Sequence, residues 1–340
     1  MSSVPPRTEV GQQSYAAPLP TSYKVSTITA TGDIGVQLDL DALYNTVPLV
    51  GWEPGSSHEW GFVSVQFAKS VSKNKDSSIT TSDSKKDSTD STDSKQSSKP
   101  DIEVLRRAAT DSQGRAFPVQ ESSRRKRRQV QHFDNQCTLI YWSRDRKLAG
   151  SLRDINVKCF RNGKIQMTGV KSIEDGKRVL LHVAETVAAM EPRVILSQTT
   201  PRASSYRVCL INSDFDLGIL IKREALYNVL KSDLQLAAVY EPCGYPGVKL
   251  KFMWNQHHTS QNQSQQGVCR CTPACTGKGD GCGIGNCRKV TCLIFQSGCT
   301  IITGAHSYTQ LDDVHNFMCG VLEEYRQDIE RIRPATSETS

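Results

Sequence analysis

The chain has 340 residues, a formal net charge of +7 and 37% hydrophobic residues, with a mean hydropathy of -0.45. These values exclude one dense core along the whole length and indicate segments that build no core. No run of 18 apolar residues occurs and the first 20 residues lack an apolar signal core, so neither a membrane span nor secretion is predicted. Twelve cysteines in such a chain favour reduced thiols or a bound metal over a disulfide framework.

The first predicted elements follow a Ser-, Pro- and Gln-rich tail, residues 1–21, which is predicted to be disordered. A β-branched, alternating run at Tyr23–Thr31 predicts a strand. The phrase D-A-L-Y-N-T-V from Asp41 has the apolar spacing of a helix, and G-F-V-S-V-Q-F from Gly61 alternates as a half-buried strand does.

A low-complexity segment, residues 69–131, interrupts this pattern and is predicted to be a solvated linker. It carries 15 basic and 9 acidic residues, so it holds +6 of the net charge and leaves +1 for the rest. Near its end is a basic run that is either a nuclear-import signal or a solubilising charged stretch. Its residues are Arg124, Arg125, Lys126, Arg127 and Arg128.

The elements after the linker repeat those of the second half of the chain. F-R-N-G-K-I-Q-M-T-G-V from Phe160 and F-Q-S-G-C-T-I-I-T-G-A from Phe295 share one pattern, 135 positions apart. Each predicts a β-hairpin followed by a long amphipathic helix, the first of which begins near Ser172. The motifs A-L-Y-N and aromatic-E-P precede the hairpin in both halves, so two copies of one unit are predicted.

The predicted fold class is α+β, with a sheet in each copy that has helices on one face and leaves the other face free. The first copy comprises residues 22–195, including the insertion at 69–131. The second comprises residues 204–333 with a Cys-rich insertion at about 255–288, and a short tail, 334–340, ends the chain.

Four aromatic residues are predicted to lie at equivalent places on the free faces: Trp60, Phe160, Tyr245 and Phe295. They are either ordinary core residues or apolar wedges, which minor-groove proteins insert between base steps. Each phenylalanine adjoins a turn instead of the middle of a strand, which favours the second interpretation.

The phrases Y-E-P-C-G-Y-P-G-V-K-L-K-F and C-L-I-F-Q-S-G-C-T-I-I-T-G-A resemble the TATA-box-binding protein (TBP) family, as does K-C-F-R-N-G-K-I-Q-M-T-G-V-K-S in the first copy. The resemblance covers roughly residues 22–68, 136–195 and 204–333, and is greatest to the divergent TBP-like proteins of large DNA viruses. It implies a pseudo-two-fold saddle of two repeats, each with a curved antiparallel sheet and a long helix on the convex face.

The resemblance also implies a DNA-binding site on the concave face. The four intercalating phenylalanines of the family match the four aromatic residues above. Further DNA-contacting positions are Thr168 and Thr303 of the T-G steps, Lys164 after the first turn, Asn212 on the first strand of the second copy, and Val25 near the matching place in the first. Cys299 stands where a second basic residue would follow the turn, so the two halves are expected to grip DNA unequally.

The implied function is that of a TBP-type transcription initiation factor. It would bind an A/T-rich promoter through the minor groove, bend the DNA and act with a TFIIB-like factor and the RNA polymerase machinery. The family's partner-binding loop reads Glu241, Pro242, Cys243, Gly244, with one acidic contact replaced. A monomeric pseudo-dimer without membrane contact, located inside the cell in the host nucleus or a viral factory, is expected.

The Cys-rich insertion contains five cysteines within a Gly-rich stretch: Cys269, Cys271, Cys275, Cys282 and Cys287. Four thiolates at such spacings can enclose one structural Zn²⁺, with His257 and His258 as lesser candidates. The alternative is a loop of reduced thiols. No cofactor is expected for the rest of the protein.

No catalytic motif is present: the chain lacks a P-loop, G-x-S-x-G and H-E-x-x-H, so it is not expected to be an enzyme. Two alternatives remain open. One is a viral structural or interaction protein that kept the TBP fold without promoter binding. The other is a TBP-like domain associated with DNA repair, although no added catalytic helical domain is evident.

Overall fold

The structure, a computed structural model, describes residues 19–50, 60–71, 101–110, 113–116, 135–144, 152–190, 192–259 and 266–331. Five sequence features lie wholly or mostly outside this part: the N-terminal tail, the W-E-P motif at 52–54, most of the linker, the basic run 124–128 and the C-terminal tail. In the part that is described, no helix has the length and apolarity needed to cross a membrane.

Helices and strands follow the predicted order. The strands are β1 (Lys24–Asp33), β2 (Trp60–Val71), β3 (Asp101–Ala108), β4 (Gln136–Arg144), β5 (Leu152–Phe160), β6 (Lys164–Val170), β7 (Ser204–Asp216), β8 (Ala237–Val239), β9 (Val248–Trp254), β10 (Arg288–Ile294) and β11 (Cys299–Ala305). The helices are α1 (Leu40–Thr46), α2 (Ile173–Ala189), α3 (Arg223–Asn228), α4 (Gln256–Thr259) and α5 (Tyr308–Ile329). A 3₁₀ turn (Pro192–Val194) follows α2, and a π-helical turn (Val229–Asp233) continues α3.

The chain divides into two compact units. The first unit is Thr27–Cys209, and the second unit is Leu210–Ser340 together with Met1–Ser26. The strand order is β3-β2-β4-β5-β6-β1 in the first unit and β7-β11-β10-β9-β8 in the second, with antiparallel neighbours throughout. The predicted α+β class with antiparallel sheets is thereby confirmed, while the pseudo-two-fold saddle stays a prediction.

Helix α5 covers one face of the sheet in the second unit. Its N-terminus is capped by Ser307, whose Oγ accepts a hydrogen bond from the backbone of Gln310 at 3.3 Å. On β9, every second side chain is buried, and the Trp254 indole donates to Asp313 of α5 at 2.6 Å. The intervening side chains of β9, β10 and β11 are partly exposed, so one face of the sheet packs on α5 and the other is open to a ligand.

Helix α2 covers the sheet of the first unit in the same way. Ser172 caps it by accepting from the backbone of Asp175 at 3.0 Å, which confirms the helix start predicted from the sequence. Gly32 of β1 lies so close to α2 that a Cβ there would approach the Leu180 side chain to 2.4 Å. The buried side chains of β1, β5 and β6 therefore face α2, and the alternate ones form the opposite face.

The prediction that residues 69–131 are a linker throughout is wrong for part of the segment. Strand β2 extends to Val71, and β3 pairs with it antiparallel from Val71 opposite Asp101 to Ser64 opposite Ala108. The run D-I-E-V-L-R-R-A contains enough apolar residues to add an edge strand, which the Ser- and Lys-rich sequence before it obscures.

The insertion also changes which strands of the two units correspond. In the second unit β9 pairs with β10, the first strand of the repeated hairpin. In the first unit the strand that pairs with the equivalent β5 is β4, while β2 lies one place further out. The predicted equivalence of Trp60 and Tyr245 implies that the strand at Gly61–Phe67 corresponds to β9, and the strand pairing assigns that place to Gln136–Arg144 instead.

The glycine at the turn of the second hairpin is predicted to contribute to the stability of the protein. Gly298 has φ +92° and a Cβ there would lie 2.4 Å from the carbonyl oxygen of Ile219. Gly298→Ala is therefore expected to lower the free energy of unfolding by about 1–3 kcal/mol. Gly320, inside α5 with open space around it, is the matched control, and Gly320→Ala is expected to raise it by about 0.5–1 kcal/mol. Urea unfolding midpoints measure both, and equal shifts would contradict the assigned turn.

Candidate nucleic-acid interface and metal site

The open face of the second unit, here called the second free face, combines an apolar centre with lysines on one side and an aspartate on the other. Leu293 of β10 lies opposite Ile301 of β11, and both are partly exposed. Lys249 of β9 is the cross-strand neighbour of Leu293 on the outer side. The other members are Asn212, Asp214, Lys251, Met253, Lys289, Thr291 and Thr303. An apolar strip with lysines along one side suits a polyanion with an apolar groove.

A pair of aromatic side chains stands at one end of this face. The rings of Tyr245 and Phe295 have centroids 6.0 Å apart at an angle of 54°, and both side chains are partly exposed. A Cβ on Gly247 would lie 3.0 Å from Tyr245 and 3.2 Å from Phe295, so the absence of a side chain there lets the rings pack over the backbone. The Lys249 ammonium lies 5.6 Å from the Tyr245 ring centroid, a cation–π distance.

The loop before β9 holds Tyr245 in place. The backbone carbonyl of Glu241 accepts hydrogen bonds from the amides of Gly244 at 2.9 Å and Tyr245 at 2.8 Å, which closes a helical turn. Glu241, Pro242 and Cys243 are all exposed on this turn. The candidate partner-binding residues thus adjoin the aromatic pair, and their role stays a prediction.

Asn212 and Thr303 are joined on the second free face. They are cross-strand partners, and Thr303 Oγ1 donates to Asn212 Oδ1 at 2.6 Å. Because the amide oxygen accepts this bond, the amide nitrogen of Asn212 can donate to a ligand. The minor-groove edge of an A·T pair presents only acceptors, so an orientated donor of this kind suits it.

The open face of the first unit, the first free face, is polar at the corresponding places. Thr168 lies opposite Asn156 and Thr29, as Thr303 lies opposite Thr291 and Asn212. The strand register thus assigns the counterpart of Asn212 to Thr29 instead of Val25, and the same register irregularity lies beside both residues, between Ile28 and Thr29 and between Thr303 and Ala305. Where the second free face has the Leu293–Ile301 pair, the first has Lys158 opposite Gln166.

Phe160 and Lys164 lie at one end of the first free face, beside a cleft of about 790 Å³. The cleft is also lined by Asn135, Arg161 and Arg207, so an aromatic side chain and three basic ones meet there. Lys164 is exposed and pairs across the strands with Asp33. The sequence prediction that Phe160 and Lys164 share a surface is consistent with this arrangement.

The prediction that Trp60 lies on the free face is wrong. Its ring packs edge-on against His182 of α2, with centroids 5.1 Å apart, and Phe62 contacts the same histidine at 5.2 Å. Trp60 is therefore on the face that α2 covers, although 46% of its surface is exposed. The cause is the mistaken strand equivalence: Trp60 begins β2, whereas the aromatic that matches Tyr245 should precede β4.

Phe133 has the sequence position that corresponds to Tyr245, and the sequence analysis did not consider it. It stands three positions before Gln136, where β4 begins, as Tyr245 stands three positions before Val248, where β9 begins. Phe133 itself is outside the described residues. Its distance to the alternating run Q-C-T-L-I-Y could have identified it. No E-P motif stands shortly before it in the sequence, whereas one stands shortly before Tyr245.

Cys299 differs from its counterpart Lys164 by more than a lost positive charge. Two aspartates of β7 lie beside it: Asp216 is its cross-strand partner, and Asp214 is opposite Ile301. Burial first, and then these carboxylates, raise the pKa of the Cys299 thiol. The lysines of the second free face are on β9 and β10, so its positive charge lies on that side and not beside β7.

Four of the five predicted cysteines form a cluster in the second unit. The sulfur atoms of Cys269, Cys271, Cys275 and Cys287 all lie within 4.8 Å of one another. Cys287 Sγ is 3.7 Å from the sulfur atoms of both Cys269 and Cys271. A tetrahedral site with Zn–S bonds of about 2.3 Å has S–S separations of about 3.8 Å, so this donor set fits zinc.

Backbone amides support the negative charge that a metal requires of these thiols. The amide of Cys275 donates to Cys269 Sγ at 3.3 Å, and that of Gly285 donates to Cys271 Sγ at 3.2 Å. Burial acts to raise the pKa of the Cys269 thiol, but hydrogen bonds from Cys275 and Cys271 outweigh it and lower this pKa to about 7. Burial raises the pKa of Cys287, so full ionisation of the cluster needs a cation among the sulfurs.

The remaining metal candidates do not join the cluster. Cys282 is exposed, and its sulfur contacts Gln256 Oε1 at 3.8 Å. The cluster does not include the exposed His257, and the side chain of His258 lies outside the described residues.

The fold and site thus define an α+β protein of two units, each with antiparallel strands that are open on one face, and a four-cysteine cluster in the second unit. No family model matches the chain. It is 26% identical over 213 residues to a protein of Acanthamoeba polyphaga mimivirus named TATA-box-binding protein-like, over 60% of this chain and 52% of the relative. The chain therefore spans about half the length of the curated relative it matches. This relative confirms the resemblance to TBP-like proteins of large DNA viruses.

Among solved structures, the TBP of Methanococcus jannaschii matches 89% of this chain and 99% of its own, at 15% identity and a TM-score of 0.39.

Proposed function

We propose that the protein binds A/T-rich double-stranded DNA in the minor groove and acts as a transcription initiation factor of TBP type. The observation that carries the proposal is the second free face. There the Tyr245–Phe295 pair adjoins an apolar strip, Leu293 and Ile301, with lysines along one side. Aromatic wedges unstack a base step, apolar strand residues follow the groove floor, and lysines bind the flanking phosphates.

The direction in which the DNA is bound follows from the difference between the two free faces. The second free face offers apolar contacts and the Asn212 donor, whereas the first offers Lys158, Gln166 and Thr168. A DNA site read by two unlike half-sites is bound in a preferred direction, because the reversed complex loses contacts on both sides. The difference in DNA contacts that is expected from Lys164 and Cys299 thus extends to the other residues of the two free faces.

A titration of the full chain against A·T-rich and G·C-rich duplexes of equal length tests this function. We expect at least about a tenfold preference for the A·T-rich duplex, since a mismatched base pair costs about 1–3 kcal/mol. The logarithm of affinity should fall linearly with the logarithm of salt concentration, by about 0.9 for each phosphate contact. Equal affinity for both duplexes, or no binding, would refute the proposal and favour a structural protein that kept the fold.

The initiation role extends to partners. Glu241 and Pro242 are exposed beside the aromatic pair, where an initiation factor of the TFIIB type would reach DNA and protein together. Cys243 and Gly244 follow them where the family pattern is E-P-E-L, so we expect an altered partner contact. Robust ternary assembly with a standard host factor would contradict this expectation. The proposed location, host nucleus or viral factory, accords with the basic run 124–128.

We also propose that Cys269, Cys271, Cys275 and Cys287 hold one structural Zn²⁺. When bound, the ion would supply the folding free energy that this Gly-rich insertion cannot obtain from apolar burial. The four thiolates hold it, and the backbone amides of Cys275 and Gly285 orientate two of them.

A further inference from the structure

A row of polar side chains crosses the first free face next to Phe160. Lys158 of β5 lies opposite Gln166 of β6, and Gln166 lies opposite Thr31 of β1. All three are partly exposed, whereas the residues directly before and after each of them on its strand are buried on the side that α2 covers. The row therefore belongs to the open side of the first unit, where a ligand can reach it.

The matching row of the second free face has an apolar centre. The repeated hairpin motif makes Leu293 the counterpart of Lys158 and Ile301 the counterpart of Gln166, and the two apolar residues lie opposite each other. The row continues to Asp214 of β7, so its acceptor is one strand outside the hairpin. A hydrogen-bond donor of DNA that is placed against this hairpin would be buried without an acceptor, which is unfavourable.

The side-chain amide of Gln166 is available to a ligand. Gln166 and Thr31 line the cleft of about 790 Å³ that Phe160 also lines. Among the residues that the structure describes, the side chains of Lys158 and Gln166 have no hydrogen-bond or ion-pair partner, while Thr31 Oγ1 lies 3.5 Å from the Cys209 sulfur. Gln166 therefore offers a ligand both a carbonyl acceptor and an amino donor.

The surroundings of this row suit DNA beside the wedge. Phe160 is two positions from Lys158 on β5, so the row lies about 7 Å along the strand from Phe160. The described charged side chains around the row are mainly basic, which favours a polyanion. They are Lys158, Arg161, Lys164 and Arg207, together with the acidic Asp33 and Asp154.

One chemical group distinguishes the two kinds of base pair in the minor groove. An A·T pair presents only acceptors there, and a G·C pair adds the guanine N2 amino group, which is a donor. We propose that the carbonyl of Gln166 accepts a hydrogen bond from this amino group. The first free face then tolerates a G·C pair next to the step that Phe160 engages, and the apolar hairpin of the second free face excludes a G·C pair beside Phe295. The inference rests on the proposed DNA binding and makes one half of the site A·T-only and the other half mixed.

Selection from a library of random duplexes, followed by sequencing of the bound fraction, locates the tolerated pair without an assumption about its position. We expect wild type to enrich sites that have A·T pairs throughout one half and accept G·C at one or more positions of the other. Gln166→Ile gives position 166 the side chain of its counterpart and should enrich A·T pairs in both halves. Ile301→Gln is the reciprocal variant and should extend G·C acceptance to the second half.

Two duplexes that differ only at the tolerated pair then measure the size of the effect by fluorescence anisotropy. Wild type should bind the A·T and G·C versions within about twofold of each other, whereas Gln166→Ile should bind the G·C version about five- to 150-fold more weakly, the usual cost of one unfavourable base pair. The ratio of the two affinities is the quantity to compare. A general loss of folding or of DNA affinity lowers both binding constants and leaves their ratio unchanged.

The outcomes separate this inference from the proposed function. A wild type that binds A·T-rich DNA selectively but rejects a G·C pair at every position would overturn this inference alone. A Gln166→Ile protein that keeps the wild-type ratio would do the same, as would a wild type that accepts G·C pairs equally in both halves of the site. A wild type that binds no duplex would overturn the proposed function, and this inference with it.

Discussion

Tyr245→Ala and Phe295→Ala are each expected to lower affinity for an A·T-rich duplex about 10- to 100-fold, and to reduce the bend of the bound DNA. The two rings pack on each other 6.0 Å apart and are partly exposed at the end of the second free face. Stacking of a base on an aromatic side chain contributes about 1–3 kcal/mol, which corresponds to this range. Fluorescence anisotropy measures the affinity, and energy transfer between dyes at the duplex ends measures the bend.

Trp60→Ala is the matched control, since Trp60 is an exposed aromatic that packs on His182 of α2. Its DNA affinity should equal that of wild type, whereas Phe133→Ala should behave as Tyr245→Ala does. Circular dichroism establishes that each variant is folded. A Trp60→Ala protein as weak as Tyr245→Ala, or wild-type bending by Phe295→Ala, would contradict the assignment of the free faces.

The repeat made most of the fold predictable from the sequence. Two copies of one phrase predicted the hairpins β5–β6 and β10–β11. Alternation of apolar residues predicted strands, and apolar residues at helical spacing predicted the long helices α2 and α5. Local rules sufficed there, because period and capping residues act within one element. The tight turn at Gly298 could be predicted for the same reason, since its positive φ is a local requirement.

The site was less predictable because strand pairing is not local. Trp60 and Tyr245 both precede alternating runs, but β2 pairs with β3 and β4, so Trp60 is not next to Phe160. The residue opposite Thr168 is Thr29, four positions from the predicted Val25, because the pairing of β1 with β6 and not the local sequence decides which residues are opposite. Strands that pair are far apart in the chain, so errors in pairing or register change which side chains form a site.

Cys287→Ser is expected to weaken zinc binding at least about 100-fold, because loss of a supporting contact alone costs 10- to 100-fold and this change removes a ligand. The Cys287 sulfur is buried and lies 3.7 Å from two others in the cluster. Asn255 Nδ2 also approaches it at 3.6 Å. Elemental analysis should find about one zinc per wild-type chain and far less in the variant. Zinc should raise the melting temperature of the wild-type protein and not that of Cys287→Ser.

Cys282→Ser separates metal binding from a general effect of losing a thiol. Cys282 is in the same Gly-rich stretch, but it is exposed and not part of the cluster, so this variant should keep full zinc content. Each substitution removes one sulfur atom from the same insertion, and the two differ in whether that sulfur belongs to the cluster. Equal zinc loss in the two variants would show that the ligand set is wrong. Less than about half an equivalent of zinc per wild-type chain would show that the insertion is a loop of reduced thiols. The N–H···S bonds at Cys269 and Cys271 would then stabilise only the local packing of the loop.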